Sequence, residues 1–346
     1  MRRHAAIGLA LCVLAALGCS KPAEYGGPNS GGTPGPKIAM VTDVGGLGDK
    51  SFNDSAHRGL VEAQTTFNAH VTVLQSRSAA DYEPNLSTLA QQGNQLIFAV
   101  GFLMHDSLNS VAPRFPKTHF AIIDSVVDRP NVTSITFKEE ESSFLAGVLA
   151  ALVSKKGTVA FLGGIDSPLI EKFAAGYSAG VQSANPNVKV LVKYTGSFDD
   201  VAAGKEYATV LFDQGADVVY AAAGKCGIGA IDEVKTRPPG TYVIGVDSDQ
   251  DALAPGKILT SALKRVDTAV FKLAQSVSRG KVPAGLIVLG LKEGGVDLTP
   301  MKYTRALVPA AALAAVDKFK KMIVAGKLVV PSTPDQLKAF HPPTTP

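Results

Sequence analysis

KIAMVTDVGGLGDKSFNDSAHRG, running from Lys37 to Gly59, decides how the chain folds. The apolar run from Ile38 to Val41 reads as a buried strand that stops at Asp43. Gly45, Gly46 and Gly48 then form a turn, and a helix begins near Ser51 with Phe52 and Asn53 in its first turn. A carboxylate, an aromatic ring and an amide thus gather where a strand hands over to a helix. Ligands of open α/β sheets bind outside the carboxyl ends of the strands, so this segment reads as one wall of a small-molecule site.

Beyond it, short β-branched runs alternate with helical stretches. The pattern predicts strands at residues 38–42, 71–75, 96–100, 119–123, 158–162, 188–194, 218–221, 242–246 and 258–262. Between them it predicts helices at 52–68, 84–92, 105–112, 142–154, 169–184, 202–214, 228–235 and 268–279. Such alternation implies parallel sheets with helices on both faces. Gln92-Gly93-Asn94-Gln95 and Gln214-Gly215-Ala216-Asp217 each link a helix to an apolar strand, an echo that implies two similar α/β halves. The first lobe is expected at 37–140 plus about 265–295, and the second at 141–264 plus part of about 296–330. Two Rossmann-like lobes with a hinged cleft between facing strand ends make the type I periplasmic-binding-protein fold, in which closure around a ligand is the expected motion. Residues 331–346, with five Pro, are expected to fray.

The N-terminus reads as a processing signal. Arg2 and Arg3 precede an apolar stretch, 5–17, too short to span a bilayer as a mature helix. It ends in Ala16-Leu17-Gly18-Cys19, which resembles a bacterial lipobox with Cys19 as the lipidated residue; the alternative is ordinary secretion with cleavage nearby. Residues 20–36, rich in Gly, Pro and Ser, read as a flexible tether from a lipid-anchored cysteine to the folded body. Each buried acyl methylene adds about 0.8 kcal/mol of membrane affinity. Cys226 is then the one cysteine left in the body, so no disulfide forms within it.

Composition excludes several classes. The 346 residues are 46% hydrophobic and 18% charged, which suits a globular body with a sizeable core. The formal net charge of +4 falls to about +2 without Arg2 and Arg3, and no basic arm marks nucleic-acid binding. Gly45 to Ser51 is not a phosphate loop, because Asp49 follows Gly48 where Lys should stand and would repel a phosphate. Gly176-Tyr177-Ser178-Ala179-Gly180 fits the nucleophile-elbow pattern of a Ser hydrolase. That elbow needs a strand leading into the Ser; the preceding residues have helical spacing, so the small residues read as a close helix–sheet contact. None of the six His forms a metal-binding pair at helical spacing. No metal, cofactor or catalytic residue is expected.

Polar clusters sit instead at the strand ends. They are Asp43 with Asn53, Asp106, Ser197-Phe198-Asp199, Gly224, Asp247 and Lys264. Several Asp, one Lys and loose aromatic rings suit a polyhydroxylated ligand bearing a flat ring. Carboxylates accept from hydroxyls, and Phe52 and Phe198 would stack on a base, each worth about 1–3 kcal/mol.

Several stretches make the chain recognisable: Val41 to Gly46 with Asp49-Lys50-Ser51-Phe52-Asn53; Tyr194 to Asp200; Gly245-Val246-Asp247-Ser248-Asp249-Gln250; and Leu259 to Asp267. In these it resembles the basic membrane protein family of substrate-binding lipoproteins, whose best-understood members are purine nucleoside receptors of ABC transporters. The resemblance implies that Phe52 and Phe198 stack on the base, that Asp43 and Asn53 address its edge or nearby polar groups, and that Asp106 contributes from the first lobe. It implies that Asp247 and Lys264 hold the ribose hydroxyls, with the Gly224 backbone close by. The partners implied are a purine nucleoside and the permease subunits of an ABC transporter. The protein is expected to be a monomer anchored on the outer side of a bacterial membrane. A sensory lipoprotein, or a receptor for another nucleoside-like or sugar-like molecule, is the alternative.

Overall fold

A computed structural model describes residues 23–24 and 35–343. The signal segment and Cys19 lie outside the described residues. The body contains two sheets. In the first, the strand order is β1 (Ala23–Glu24), β3 (His70–Gln75), β2 (Lys37–Thr42), β4 (Leu96–Val100), β5 (His119–Ile123), β6 (Val132–Phe137) and β12 (Gly285–Leu289). In the second it is β13 (Val296–Leu298), β11 (Ile258–Lys264), β10 (Tyr242–Asp247), β9 (Val218–Ala222), β7 (Thr158–Gly163) and β8 (Lys189–Tyr194). All pairings are parallel except those of β1 and β13 at the edges.

Each sheet is buried on both faces, and the two-residue period of a strand divides the core accordingly. In the first lobe, Ile38, Met40, Phe98 and Val100 face α1 (Phe52–Phe67) and α8 (Val266–Ser278). Ala39, Val41, Ile97 and Ala99 face α2 (Tyr82–Gln91) and α3 (His105–Val111). In the second lobe, Phe161 and Tyr220 pack with α4 (Glu139–Val153) and α5 (Pro168–Ala184), while Ala160, Leu162 and Val219 pack with α6 (Val201–Asp213) and α7 (Cys226–Thr236). Helix α4 serves both lobes: Phe144 and Val148 belong to the first core, Ala146 and Leu149 to the second.

The chain crosses between lobes at Lys138, at Arg265 and through 290–295. Backbone bonds tie these crossings together, Lys138 N–H to Leu289 O (3.1 Å) and Arg265 N–H to Gly295 O (2.8 Å).

Several elements depart from the sequence reading, among them a helix at Ala310–Val324 that was not predicted. β6, β12 and β13 were not predicted, since Val132–Phe137 is broken by Thr and Ser and the other two are short or exposed edge strands. Of the tether expected at 20–36, residues 20–22 and 25–34 lie outside the described residues, while Ala23–Glu24 form β1 and pair with Val73 and Thr72 of β3. The proline-rich end carries a short helix at Pro334–Lys338, and Leu337 and Phe340 pack against the first core beside Phe144. The small residues of the Gly176–Gly180 stretch lie inside α5, as expected, but contact a helix rather than a sheet: a Cβ on Gly180 would lie 2.0 Å from Phe144 O of α4, and one on Gly176 2.3 Å from Glu140 O. Backbone meets backbone there, and neither helix can shift without disturbing both cores.

Gly180→Ala should therefore cost about 1–3 kcal/mol by overpacking, read as a lowered urea midpoint. A wild-type midpoint would show that α4 and α5 separate freely.

Candidate functional site

Between the facing strand ends lies a cleft with about 530 Å³ of space free of atoms, part of it open to solvent. Its walls are built from residues that follow strands in both sheets. Asp43 follows β2, Gly101 and Phe102 follow β4, and Asp124 follows β5. From the second lobe come Phe198 in the loop after β8, Gly224 after β9, Asp247 at the end of β10 and Lys264 at the end of β11.

The opening turn holds its functional groups through Asp49. This carboxylate accepts from the backbone N–H groups of Ser51 (2.9 Å), Asn53 (2.7 Å) and Asp54 (3.1 Å), the free donors of α1. The place a phosphate would occupy is filled by the protein's own anion. Asn53 donates through Nδ2 to Asp43 Oδ1 at 2.8 Å, and Gly45 N–H reaches the same oxygen at 2.9 Å. Burial pushes the Asp43 carboxyl up to about 6, with Asp49 and Asp124 adding to the rise and the Asn53 bond opposing it.

Lys264 occupies the centre of the second group. Its Nζ stands 2.6 Å from Asp124 Oδ2, 3.6 Å from Asp247 Oδ1 and 3.9 Å from Glu139 Oε1, with the side chain only 4% exposed. It also lies 4.6 Å from the centroid of the Phe52 ring and 5.4 Å from that of Phe173. One face of Phe52 is therefore covered by an ammonium, and a ligand can stack only on the other. Although burial lowers the affinity of Lys264 for its proton, the three carboxylates more than compensate and raise it above the ordinary range. Burial raises Asp247, and raises Glu139 to about 7. Asp124 Oδ1, Asp247 Oδ1 and Glu139 Oε1 are buried without hydrogen-bond partners. Buried acceptors are normally satisfied; Asp247 Oδ1 and Glu139 Oε1 have only their longer ionic contacts with Lys264, and Asp124 Oδ1 on the cleft wall has no hydrogen bond at all.

The lobes touch directly around this cluster. Ser51 Oγ donates to Asp247 Oδ2 (2.6 Å), Ser248 Oγ to Ser51 O (2.8 Å), Gln250 Nε2 to Lys50 O (3.0 Å) and Arg58 Nη2 to Ser248 Oγ (2.9 Å). Lys172 of α5 bonds Phe137 O and Glu139 at the lobe crossing. On the aromatic side, Phe198 meets Phe102 edge-on, with centroids 6.3 Å apart. Gly164 leaves room for that ring, since a Cβ there would lie 2.2 Å from Phe198 Cε1.

Seven residues singled out from the sequence line this cleft: Asp43, Phe52, Asn53, Phe198, Gly224, Asp247 and Lys264. Asp106 does not. It sits in the first turn of α3, fully exposed and bonded to its neighbour His105. The 3-10 turn Phe102–Met104 and the start of α3 carry it outward, and Asp124 occupies the first-lobe position expected of it. Asp124, Phe102 and Phe173 were missed. Asp124 carried a usable signal: it immediately follows the predicted strand 119–123, the same rule that selected Asp43.

Residues 37–333 match the family model described as ABC transporter substrate-binding protein PnrA-like. The chain is 40% identical over 317 residues to the ABC transporter nucleoside-binding protein BmpA of Lactococcus lactis, covering 86% of this chain and 89% of that one. It is 36% identical to basic membrane protein A1 of Borrelia garinii, covering 88% and 91% of the two chains. Among solved structures, an ABC transporter solute-binding protein from Aeropyrum pernix superposes with a TM-score of 0.79 at 31% identity, over 88% of this chain and 96% of that one.

The raised Asp43 has a consequence for stability. Its folded value, about 6, exceeds the ordinary 3.8, so the folded state binds the proton more tightly than the unfolded chain. The sign follows: this group destabilises the fold above pH 6, and the penalty is relieved as pH falls from 6 towards 4. Asp43→Asn should remove a contribution on the order of 3 kcal/mol from the pH dependence of unfolding across that window. Urea titrations of both proteins between pH 4.5 and 7.5 measure the difference, and parallel curves would contradict it.

Proposed function

The chain belongs to the PnrA-like family of ABC transporter substrate-binding proteins, not to an enzyme family, and from that premise we propose that it captures a purine nucleoside and delivers it to its permease. The observation that carries this reading is the pairing of chemistries within one cleft. Aromatic rings (Phe52, Phe102, Phe198) and buried carboxylates each with an oxygen that makes no hydrogen bond (Asp124, Asp247) line the same 530 Å³ space. Rings accept a flat base on their faces, while carboxylates accept from ribose hydroxyls. Lys264, held in place by three carboxylates, supplies N–H donors to the sugar oxygens on the same side. Asp43 and Asn53 then face the base edge.

Bonds such as Ser51 to Asp247 form only when the lobes meet, so ligand capture and closure are coupled. A ligand of about 20 heavy atoms, at about 0.3–0.5 kcal/mol per atom, would bind at micromolar affinity or better. We place the protein on the outer side of the membrane through lipid on Cys19. Its described residues contain no helix long and apolar enough to cross a bilayer.

Mass spectrometry of small molecules released on denaturing the purified protein should return an intact purine nucleoside; a different class of ligand would refute the reading. By calorimetry, Phe52→Ala and Asp247→Ala should each weaken nucleoside binding at least tenfold, and wild-type affinity in both would sink the assigned site. Cys19→Ala should move the protein from the membrane fraction to the soluble fraction; unchanged fractionation would argue against the anchor.

A further inference from the structure

Asn53 can offer a ligand either its carbonyl oxygen or its amide nitrogen, and its neighbours decide which. Nδ2 lies 2.8 Å from Asp43 Oδ1 and 3.2 Å from Asp49 Oδ2. Those oxygens already accept backbone N–H groups, from Gly45 at 2.9 Å and from Asn53 itself at 2.7 Å. An ionised carboxylate only accepts, so turning the amide over would set its oxygen against two further acceptors. The orientation of the amide, a matter of network logic, has one solution here.

Both amide protons are consumed within the protein, and Asn53 Oδ1 is left buried with no partner. Asp43 shows the same asymmetry. Its Oδ1 takes both bonds, whereas Oδ2 is turned towards Gly101, where an added Cβ would stand 3.0 Å away. Gly101 holds φ at +122°, so a side chain there would be strained by its conformation and crowded against Asp43. With Asp43 titrating near 6, the carboxylate is ionised at pH 8 and has no proton to give. Two joined, cleft-lining side chains thus present acceptors and no donor.

We propose that this end of the cleft is an acceptor-only subsite that selects a purine by the N–H groups on its edge, and that guanosine fits it best. The inference rests on the nucleoside reading above. Guanine carries a ring N1–H beside an exocyclic amine, two adjacent donors for two acceptors. Hypoxanthine keeps the N1–H and lacks the amine. Adenine sets a ring acceptor beside its single amine, and unsubstituted purine has no N–H on that edge. A buried acceptor facing another acceptor loses its hydrogen bond and its water together, and sites built on such pairing discriminate steeply against analogues that lack the donor.

Calorimetry at pH 8 with guanosine, inosine, adenosine and purine riboside tests it on the ligand-free purified protein. Guanosine should bind tightest, inosine at least tenfold weaker, and adenosine and purine riboside at least 100-fold weaker. Asp43→Asn keeps an oxygen towards Gly45 and Asn53 and replaces Oδ2 by an NH2 donor. It should reduce the guanosine-over-adenosine ratio at least tenfold, with circular dichroism confirming the fold. Purine riboside binding within threefold of guanosine would overturn the proposal, as would an unchanged ratio in folded Asp43→Asn. If that variant does not fold, the ligand series decides alone. Failure of every purine nucleoside to bind would refute the nucleoside reading itself, whereas equal binding of all four would refute only the polarity.

Discussion

The structure turns on a lysine ammonium buried between two lobes. Lys264 is carried by the second sheet, yet its nearest partner, Asp124 at 2.6 Å, belongs to the first. An isolated buried charge is costly, and a buried pair that loses one partner typically loses about 3–5 kcal/mol. Separating the lobes must therefore bring water to Lys264 and its carboxylates, and joining them must expel it. The ammonium is also out of balance, facing Asp124, Asp247 and Glu139 at once, and one oxygen on each of the three carboxylates has no hydrogen bond. That leaves a surplus of acceptors over donors in the cluster. The same cation covers one face of Phe52, which orients stacking to the other.

The opposite end of the cleft is organised by a carboxylate acting on its own helix. Asp49 takes three N–H groups at the start of α1 and one proton of Asn53. The helix terminus is thereby neutralised by the protein, and the turn rich in Gly serves to position Asp43 and Asn53 instead of cradling a phosphate. Asp124 and Asp247 are placed by a related device. Both hold left-handed backbone conformations, φ 67° and 61°, directly at strand ends, and both turn their carboxylates into the interlobe cluster. Such conformations are uncommon outside Gly and Asn or Asp.

Much of this was legible beforehand because strand ends are legible. Every strand that carries a site residue was predicted within a residue or two, and residues just past those ends include Asp43, Gly224 and, at the ends themselves, Asp247 and Lys264. The failure at Asp106 has a simple cause. It follows β4 in the chain, but a 3-10 turn of three residues intervenes and the first turn of α3 carries it to the surface. Asp124 was passed over although the same rule pointed to it. Edge strands β12 and β13 were missed because partial exposure removes the alternation that identifies a strand.

From the sequence alone came the alternation of strands and helices, two lobes, a strand-end site, and the aromatic and acidic character of that site, because hydrophobic period and turn chemistry are local properties. Tertiary structure decided which charges meet. Lys264 finds Asp124 across 140 positions of chain and Ser51 finds Asp247 across 196, separations at which no local pattern carries information. It also decided what the Lys37–Gly59 segment offers a ligand. The residue types named a carboxylate and an amide, but the direction in which the Asn53 amide points depends on how the turn folds Asp43 and Asp49 of the same segment against it. Hydrogen-bond polarity belongs to the arrangement of groups in space, which composition and spacing do not encode.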